Sequence, residues 1–425
     1  MTEPGPVRSR TGAGELALKI ARRLLDPALV LATTPGDGSL GSGLAGTALL
    51  HARLSAVDPA FGAAAALHWA AAALLADHQP GGIYTGPGAL ATSLVIGVPY
   101  LPDPALYHDA VVRSSRWLSC RALAISGQHL DQVRAGDPAA SWQTYDAITG
   151  LAGIGRVLLA AAAAGYHHAG PGLHAALTTL TTIITAYQGG RPGWWLPAAA
   201  HPDGVAVPAS GAAATGTAHG IAGPLALLSA AQSAGWTVTG QEHAITAAAR
   251  WLLHWREQSG SWPPCISGDE LDQRQSGPAR PGRRDAWCYG AAGIGRALAM
   301  AGTALGDPAL AQAGQAAVAA LARPPARAWD VTGRALCHGH AGILQSASRM
   351  GIGTVATRAA DAILAESGRY RRIPLAHHGD HGGTDRAGRP GFLTGTAGIG
   401  LALADYAQLP APQDVIAWDA ILLLN

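Results

Sequence analysis

The chain has 425 residues, 29 basic against 27 acidic side chains, a net charge of +2, and 48% hydrophobic residues; that is enough apolar sequence for a large core and too much for global disorder. Lys19 is its single lysine, so no GxxxxGK[ST] phosphate loop exists and a Schiff-base or pyridoxal enzyme would have to use a residue near the N-terminus. Near-neutral charge, with no basic run or aromatic–basic stripe, removes the electrostatic footprint of nucleic-acid binding.

The N-terminal stretch MTEPGPVRSRTGAG lacks an apolar segment of the signal-peptide kind. Residues 1–35 read as a helical lead-in. A short Gly-x-Ala-Gly element then recurs, starting at Gly43, Gly150, Gly220, Gly290, Gly339 and Gly395, with a degenerate copy, TGPGAL, at Gly86. Seven copies spaced by 43, 64, 70, 70, 49 and 56 residues signal one repeat architecture. The apolar run Phe61–Ala76 between the first two is mostly Ala and contains His68 and Trp69, too short and weakly apolar for a membrane span. The long second-to-third spacing leaves room for a small insertion around 100–140.

Each element opens an apolar run of helical spacing, as in GIGRVLLAAAAAG after Gly153 and GIGRALAMAGTALG after Gly293. A second helical run precedes the next element, as in Gly172–Gln188 and Gly240–Trp255. Strand signals are scarce. The predicted fold is therefore all-α: a single domain over 1–425, an α/α toroid of seven helical hairpins with a Gly-rich inner ring and an outer ring. Residues 187–216 and 257–285, rich in Pro, Gly and Trp, read as connectors on a binding face.

Equivalent positions of a closed repeat lie on one ring. The residue before each element is Ser42, Thr85, Thr149, His219, Tyr289, His338 and Thr394; two before, the ring carries Gly41, Tyr84, Ile148, Ala218, Cys288, Cys337 and Leu393. Ser and Thr are expected as helix N-caps, so the reactive side chains gather on repeats four to six. Cys288, Cys337 and His338 suit Zn²⁺, and three protein ligands leave the open fourth position of a catalytic zinc. Buried apolar cysteines are the competing explanation, and a fourth ligand from Cys265 would make the site structural. His219 could serve as a general acid or base, or as a capping or core histidine. Asp146, four residues before Gly150, could orient a histidine or transfer a proton, or cap a helix. Arg284 could steady an oxyanion or pair with Asp285. Tyr289 could donate a hydrogen bond or line the ring. The rival cluster His377, His378, Asp380 and His381 lacks helical spacing and any soft ligand, and reads as a polar loop.

The motifs YDAITGLAGIG, AHGIAGPLALLS, RRDAWCYGAAGIG, CHGHAGIL and FLTGTAGIG, in this order over nearly the whole chain, resemble the lanthionine synthetase C-like family of lanthipeptide cyclases. The paired WCYG and CHG motifs carry most of the specificity. The resemblance implies a seven-fold α/α toroid with one zinc per chain, held by Cys288, Cys337 and His338. It implies acid/base roles for His219 and Asp146, with Arg284 and Tyr289 as active-site neighbours. The mixed α/β insertion of some members has no evident counterpart.

The implied reaction is intramolecular Michael addition of a peptide cysteine to dehydroalanine or dehydrobutyrine, forming a (methyl)lanthionine thioether. Implied partners are a dehydrated precursor peptide, leader plus core, and a separate dehydratase. A stand-alone cytoplasmic cyclase is expected, with room for peripheral membrane association through a biosynthetic complex. Three other readings stand beside it: glutathione addition to dehydroamino acids in proteins, a non-catalytic scaffold for peptide and dehydratase, and a sugar-processing or prenyl-transferring toroid. A glycosidase would want paired carboxylates on the ring, where only Asp146 offers itself.

Overall fold

The computed structural model describes residues 6–75, 81–136, 140–201, 207–275, 285–323, 328–369 and 389–425. In chain order the helices are α1 (Pro6–Arg23), α2 (Pro27–Thr33), α3 (Leu44–Leu54), α4 (Pro59–Leu74), α5 (Gly86–Gly97), α6 (His108–Arg134), α7 (Trp142–Tyr145), α8 (Leu151–Ala163), α9 (Gly170–Thr185), α10 (Ala222–Ser233), α11 (Gln241–His254), α12 (Gly268–Gln273), α13 (Ala291–Leu305), α14 (Pro308–Ala319), α15 (His340–Arg349), α16 (Gly353–Arg369) and α17 (Thr396–Tyr406). Seven of these, α3, α5, α8, α10, α13, α15 and α17, start within the seven Gly-rich elements. After residue 100 a 3₁₀ turn at Pro104–Tyr107 runs into α6.

The chain divides into two compact units, Met1–Ser115 with Val331–Trp418, and Arg116–Asp330 with Asp419–Asn425. In the first unit the Gly-rich helices pack in the order α15, α17, α3, α5, and α16, α1 and α4 back α15, α17 and α3 in turn. The N-terminal helix α1 thus supplies the second helix of the seventh hairpin. In the second unit α8, α10 and α13 lie side by side, backed by α9, α11 and α14.

The two helix sets differ as their sequences require. The Gly-rich helices lie inside: every residue of α3 is buried, as are Leu151–Ala161 of α8, His51, Arg53 and Arg156 included. Small side chains let these helices approach closely. Among the backing helices, α4 and α14 start on Asp-Pro. Asp58 and Asp307 accept N–H bonds from Ala60 (2.9 Å) and Ala309 (3.0 Å), and Pro59 and Pro308 take the first helical position.

The Gly-rich helices start differently from the expected Ser/Thr capping. The loop before α3, α8, α10, α15 and α17 curls around the first turn, and its backbone carbonyls accept the first amides. Leu44 N donates to Asp37 O, His340 N to Gly333 O, and Thr396 N to Arg389 O. The Ser42 and Thr149 hydroxyls donate instead to the carboxylates of Asp37 (2.7 Å) and Asp146 (3.1 Å). Glycine is required where the loop touches the helix: a Cβ at Gly150 would run into the backbone of Tyr145 and Asp146.

The connectors of the second unit pair into short strands. β1 (Tyr187–Gln188) pairs antiparallel with β2 (Arg191–Pro192); β3 (Trp195–Leu196), β4 (Ala212–Ala214) and β5 (Cys265–Ser267) form an antiparallel sheet in that order. Among the described residues no helix is long and apolar enough to cross a membrane.

Candidate functional site

The repeat register is written into backbone hydrogen bonds. In the second unit Ala147 N donates to Ala218 O (3.0 Å) and Ala218 N to Cys288 O (3.1 Å). In the first, Cys337 N donates to Leu393 O (3.0 Å), Leu393 N to Gly41 O (2.9 Å), and Gly41 N to Tyr84 O (3.2 Å). Apart from Ala147, one residue off, all these groups occupy the position two before their element. Within each unit the equivalent positions therefore form one continuous strip, as the positional arithmetic requires.

His219 is delivered to that strip by β4. The strand runs directly into Thr215, whose N–H and hydroxyl donate to Pro264 O (3.1 Å) and Pro263 O (2.6 Å) of the other connector. Asp146 is delivered by the single turn α7. Its carboxylate is fully buried, while the His219 side chain keeps 27% of its surface exposed. Oδ1 of Asp146 accepts from the backbone N–H groups of Ile148 (3.0 Å), Thr149 (2.6 Å) and Gly150 (2.8 Å). Oδ2 is left to accept from Nδ1–H of His219 at 2.6 Å. Both oxygens of a buried carboxylate are thus occupied, the condition for burying it without a large penalty. With Nδ1 committed, Nε2 is the ring nitrogen available for proton transfer.

Three further side chains hold this pair, and the sequence reading had not singled them out. The Tyr145 hydroxyl donates to the His219 carbonyl at 3.1 Å. Burial first, then the neighbouring Asp146 carboxylate and Tyr289, pushes the Tyr145 phenol well above its ordinary range, so it stays a donor. The Trp142 ring stacks on the His219 imidazole, centroids 4.4 Å apart and planes 16° from parallel. His201, from the first connector, meets the Trp142 ring edge-on at 5.6 Å and 89°. The available signal was aromatics at one and four residues before Asp146 in WQTYD, a spacing that brings both onto one helical turn. Tyr289 lies on the other strip neighbour, its ring centroid 6.3 Å from that of His219.

Cys288 is 1% exposed, two residues before Gly290, the N-cap of α13. Cys337 and His338, half-buried in the first unit, stand in the same register before α15. Cys265 opens β5 opposite Ala214. Asp285 is buried and accepts from Asp330 N–H at 2.7 Å. Among the described residues no group of three His, Cys, Asp or Glu side chains is close enough to hold a metal ion. Arg284, His377, His378, Asp380 and His381 lie outside the described residues.

The fold and the strip define an all-α repeat protein whose reactive side chains sit in the loops that start its Gly-rich helices. The sequence model of the lanthionine synthetase C-like protein matches residues 34–423, and the chain belongs to that family. A solved structure of nisin cyclase superposes with a TM-score of 0.71 at 19% identity, covering 96% of this chain and 97% of that one; the likeness establishes the fold, the helical toroid class. The nisin biosynthesis protein NisC of Lactococcus lactis subsp. lactis is 25% identical over 197 residues, 45% of this chain. That alignment spans 44% of the relative's length.

Proposed function

We propose that the chain is a zinc-dependent lanthipeptide cyclase. It would act on a precursor peptide, leader plus core, already dehydrated by a separate enzyme, and join its cysteines to dehydroalanine or dehydrobutyrine. The observation that carries this reading is the Asp146–His219 pair at 2.6 Å on the strip that also holds Cys288, in a chain of the cyclase family.

The donor chemistry fits zinc. Cys288, Cys337 and His338 offer two thiols and an imidazole just before helix N-termini, where the helix dipole favours thiolates. One zinc ion held by these three would supply the Lewis acidity that makes a substrate thiol nucleophilic at neutral pH.

The remaining chemistry falls to this chain's own groups. The substrate sulfur forms a bond to the β-carbon of the dehydro residue, and the alkene electron pair moves onto the adjacent carbonyl as an enolate. Nε2 of His219 returns the thiol's proton to the α-carbon, closing the thioether with no atom gained or lost. Asp146 fixes the imidazole tautomer through Nδ1. Tyr289 is the neighbouring donor. Arg284, assigned by the family motif, would steady the enolate oxygen.

The test pairs metal analysis with cyclisation of a dehydrated peptide. About one zinc per chain, lost in Cys288→Ala and in Cys337→Ala, together with thiol consumption at unchanged peptide mass, is the expected result. Metal-free wild-type protein that consumes no peptide thiols would overturn the reading.

A further inference from the structure

The mechanism above uses the Nε2 edge of His219, yet a single hydrogen bond through Nδ1 does not fix an imidazole. A ring anchored at one nitrogen still rotates about that bond, sweeping its other nitrogen through an arc. Something must set the plane, and the structure offers a candidate that touches no catalytic group except through that plane.

Trp142 lies face to face with His219 at 4.4 Å and 16°. Its indole is itself held: the residue is 9% exposed, it starts the turn α7, and its ring packs perpendicular to that of His201, centroids 5.6 Å apart and planes at 89°. His201 is also only 9% exposed, and burial holds its pKa below the ordinary histidine value, keeping it a neutral packing partner at pH 7. Three rings thus pack in sequence, His219 face to face on Trp142 and His201 perpendicular to Trp142. They come from three separate segments: the loop leading into α10, the turn α7, and the first connector. Offset or near-parallel stacking is a preferred arrangement for such rings. Asp146 and Trp142 are both on or next to the same turn, so one short element fixes the imidazole in two ways, by its nitrogen and by its face.

We propose that Trp142 is a positioning residue that sets the plane of the His219 imidazole, with His201 as the buttress that sets the plane of Trp142. The inference rests on the reading of His219 as the proton donor. A flat aromatic surface is required at 142, and apolar volume alone does not replace it. The connector 187–216 acquires a role as well: through His201 it holds the acid/base residue without touching substrate.

The experiment compares Trp142→Phe, Trp142→Leu and His201→Ala with wild type. In cyclisation of a dehydrated peptide, Trp142→Leu is expected to lower kcat about 10- to 100-fold, the penalty typical of an acid/base group displaced by about an ångström. KM and zinc content stay unchanged. Trp142→Phe restores most of the rate, and His201→Ala falls between. Loss of kcat that Phe does not rescue, or an equal rise in KM, would overturn the proposal.

A second readout is independent of activity. In ¹³C-histidine-labelled protein, with the His219 signal assigned from His219→Gln, the imidazole resonance is expected to carry the ring-current shift of the stacked indole. That shift is expected to vanish in Trp142→Leu and to diminish in Trp142→Phe. An unshifted wild-type resonance overturns the stack whatever the assay shows. A shifted resonance in a protein without cyclase activity overturns the proposed function and leaves the stack standing.

Discussion

Asp146 shows how much one side chain can be asked to do. Its Oδ1 accepts three backbone N–H groups of its own turn, and its Oδ2 holds His219. An Asp146→Asn substitution separates the two tasks. The amide oxygen can still accept the backbone donors, so the turn survives. The amide NH₂ then faces Nδ1, which must become an acceptor, and the imidazole is forced into the opposite tautomer. We expect kcat to fall about 10²- to 10⁴-fold with little change in melting temperature, by analogy with the wrong-tautomer effect in hydrolase triads. A variant that loses rate and thermal stability together would show that Asp146 is only a turn residue. His219 was legible in the sequence because it stands in repeat register, one residue before its element; Asp146, four residues before Gly150, was legible from the YDAITGLAGIG motif instead. Trp142 and His201 were not: their contacts are between rings 59 and 77 residues apart, and no local pattern encodes which face meets which.

The elements of the first unit carry a titratable pair of their own. His51 in α3 and His68 in α4 are fully buried, their rings edge to face at 4.9 Å. Nε2–H of His51 donates to Ala21 O near the end of α1 (3.0 Å), and Nε2–H of His68 donates to Leu25 O just beyond it (3.1 Å). Burial, and then the neighbouring His68, pushes the His51 pKa down from 6.5 to about 3; burial likewise lowers that of His68. The folded state therefore binds fewer protons than the unfolded chain across this interval. Their stability contribution is present above pH 6.5 and is lost as pH falls toward about 3. Denaturant midpoints should drop steadily from pH 7 to pH 5, and His51→Gln should flatten that slope; an unchanged slope would remove His51 as its cause. The starts of the seven Gly-rich helices were legible from the recurring element. The pairing of α1 with α17 was not, because helical periodicity identifies a helix and not a partner nearly 400 residues away. The strands were missed too: at two or three residues each, they are too short to show the alternation that marks a strand.

At the scale of the whole molecule, residues near both ends of the described chain complete distant repeats. In the first unit α1 backs α17, and Trp418 is locked by its indole N–H on Asp405 (2.9 Å), its backbone N–H on Tyr100 Oη (2.9 Å) and its ring against Phe392. In the second, carbonyls of the last residues accept from side chains in or just before α8 and α13. Leu422 O accepts from Trp287 Nε1 (2.8 Å), Leu424 O from Arg296 Nε (2.7 Å), and Asn425 O from Arg156 Nε (3.1 Å). Trp287 is fully buried, and Arg156 is buried deeply enough that its pKa is pushed down to about 10 despite the pull of Asp419. Deleting 419–425 would strip these donors of their acceptors at about 1–3 kcal/mol for each that stays buried. Trp287 directly precedes Cys288, so the damage would reach the strip as well. The truncated chain should melt several degrees lower, with amide exchange rising first in α8 and α13 while α3 and α17 stay protected. Uniform loss of protection would mean that the two units do not open separately. Unchanged protection would mean that these hydrogen bonds contribute nothing that water cannot replace.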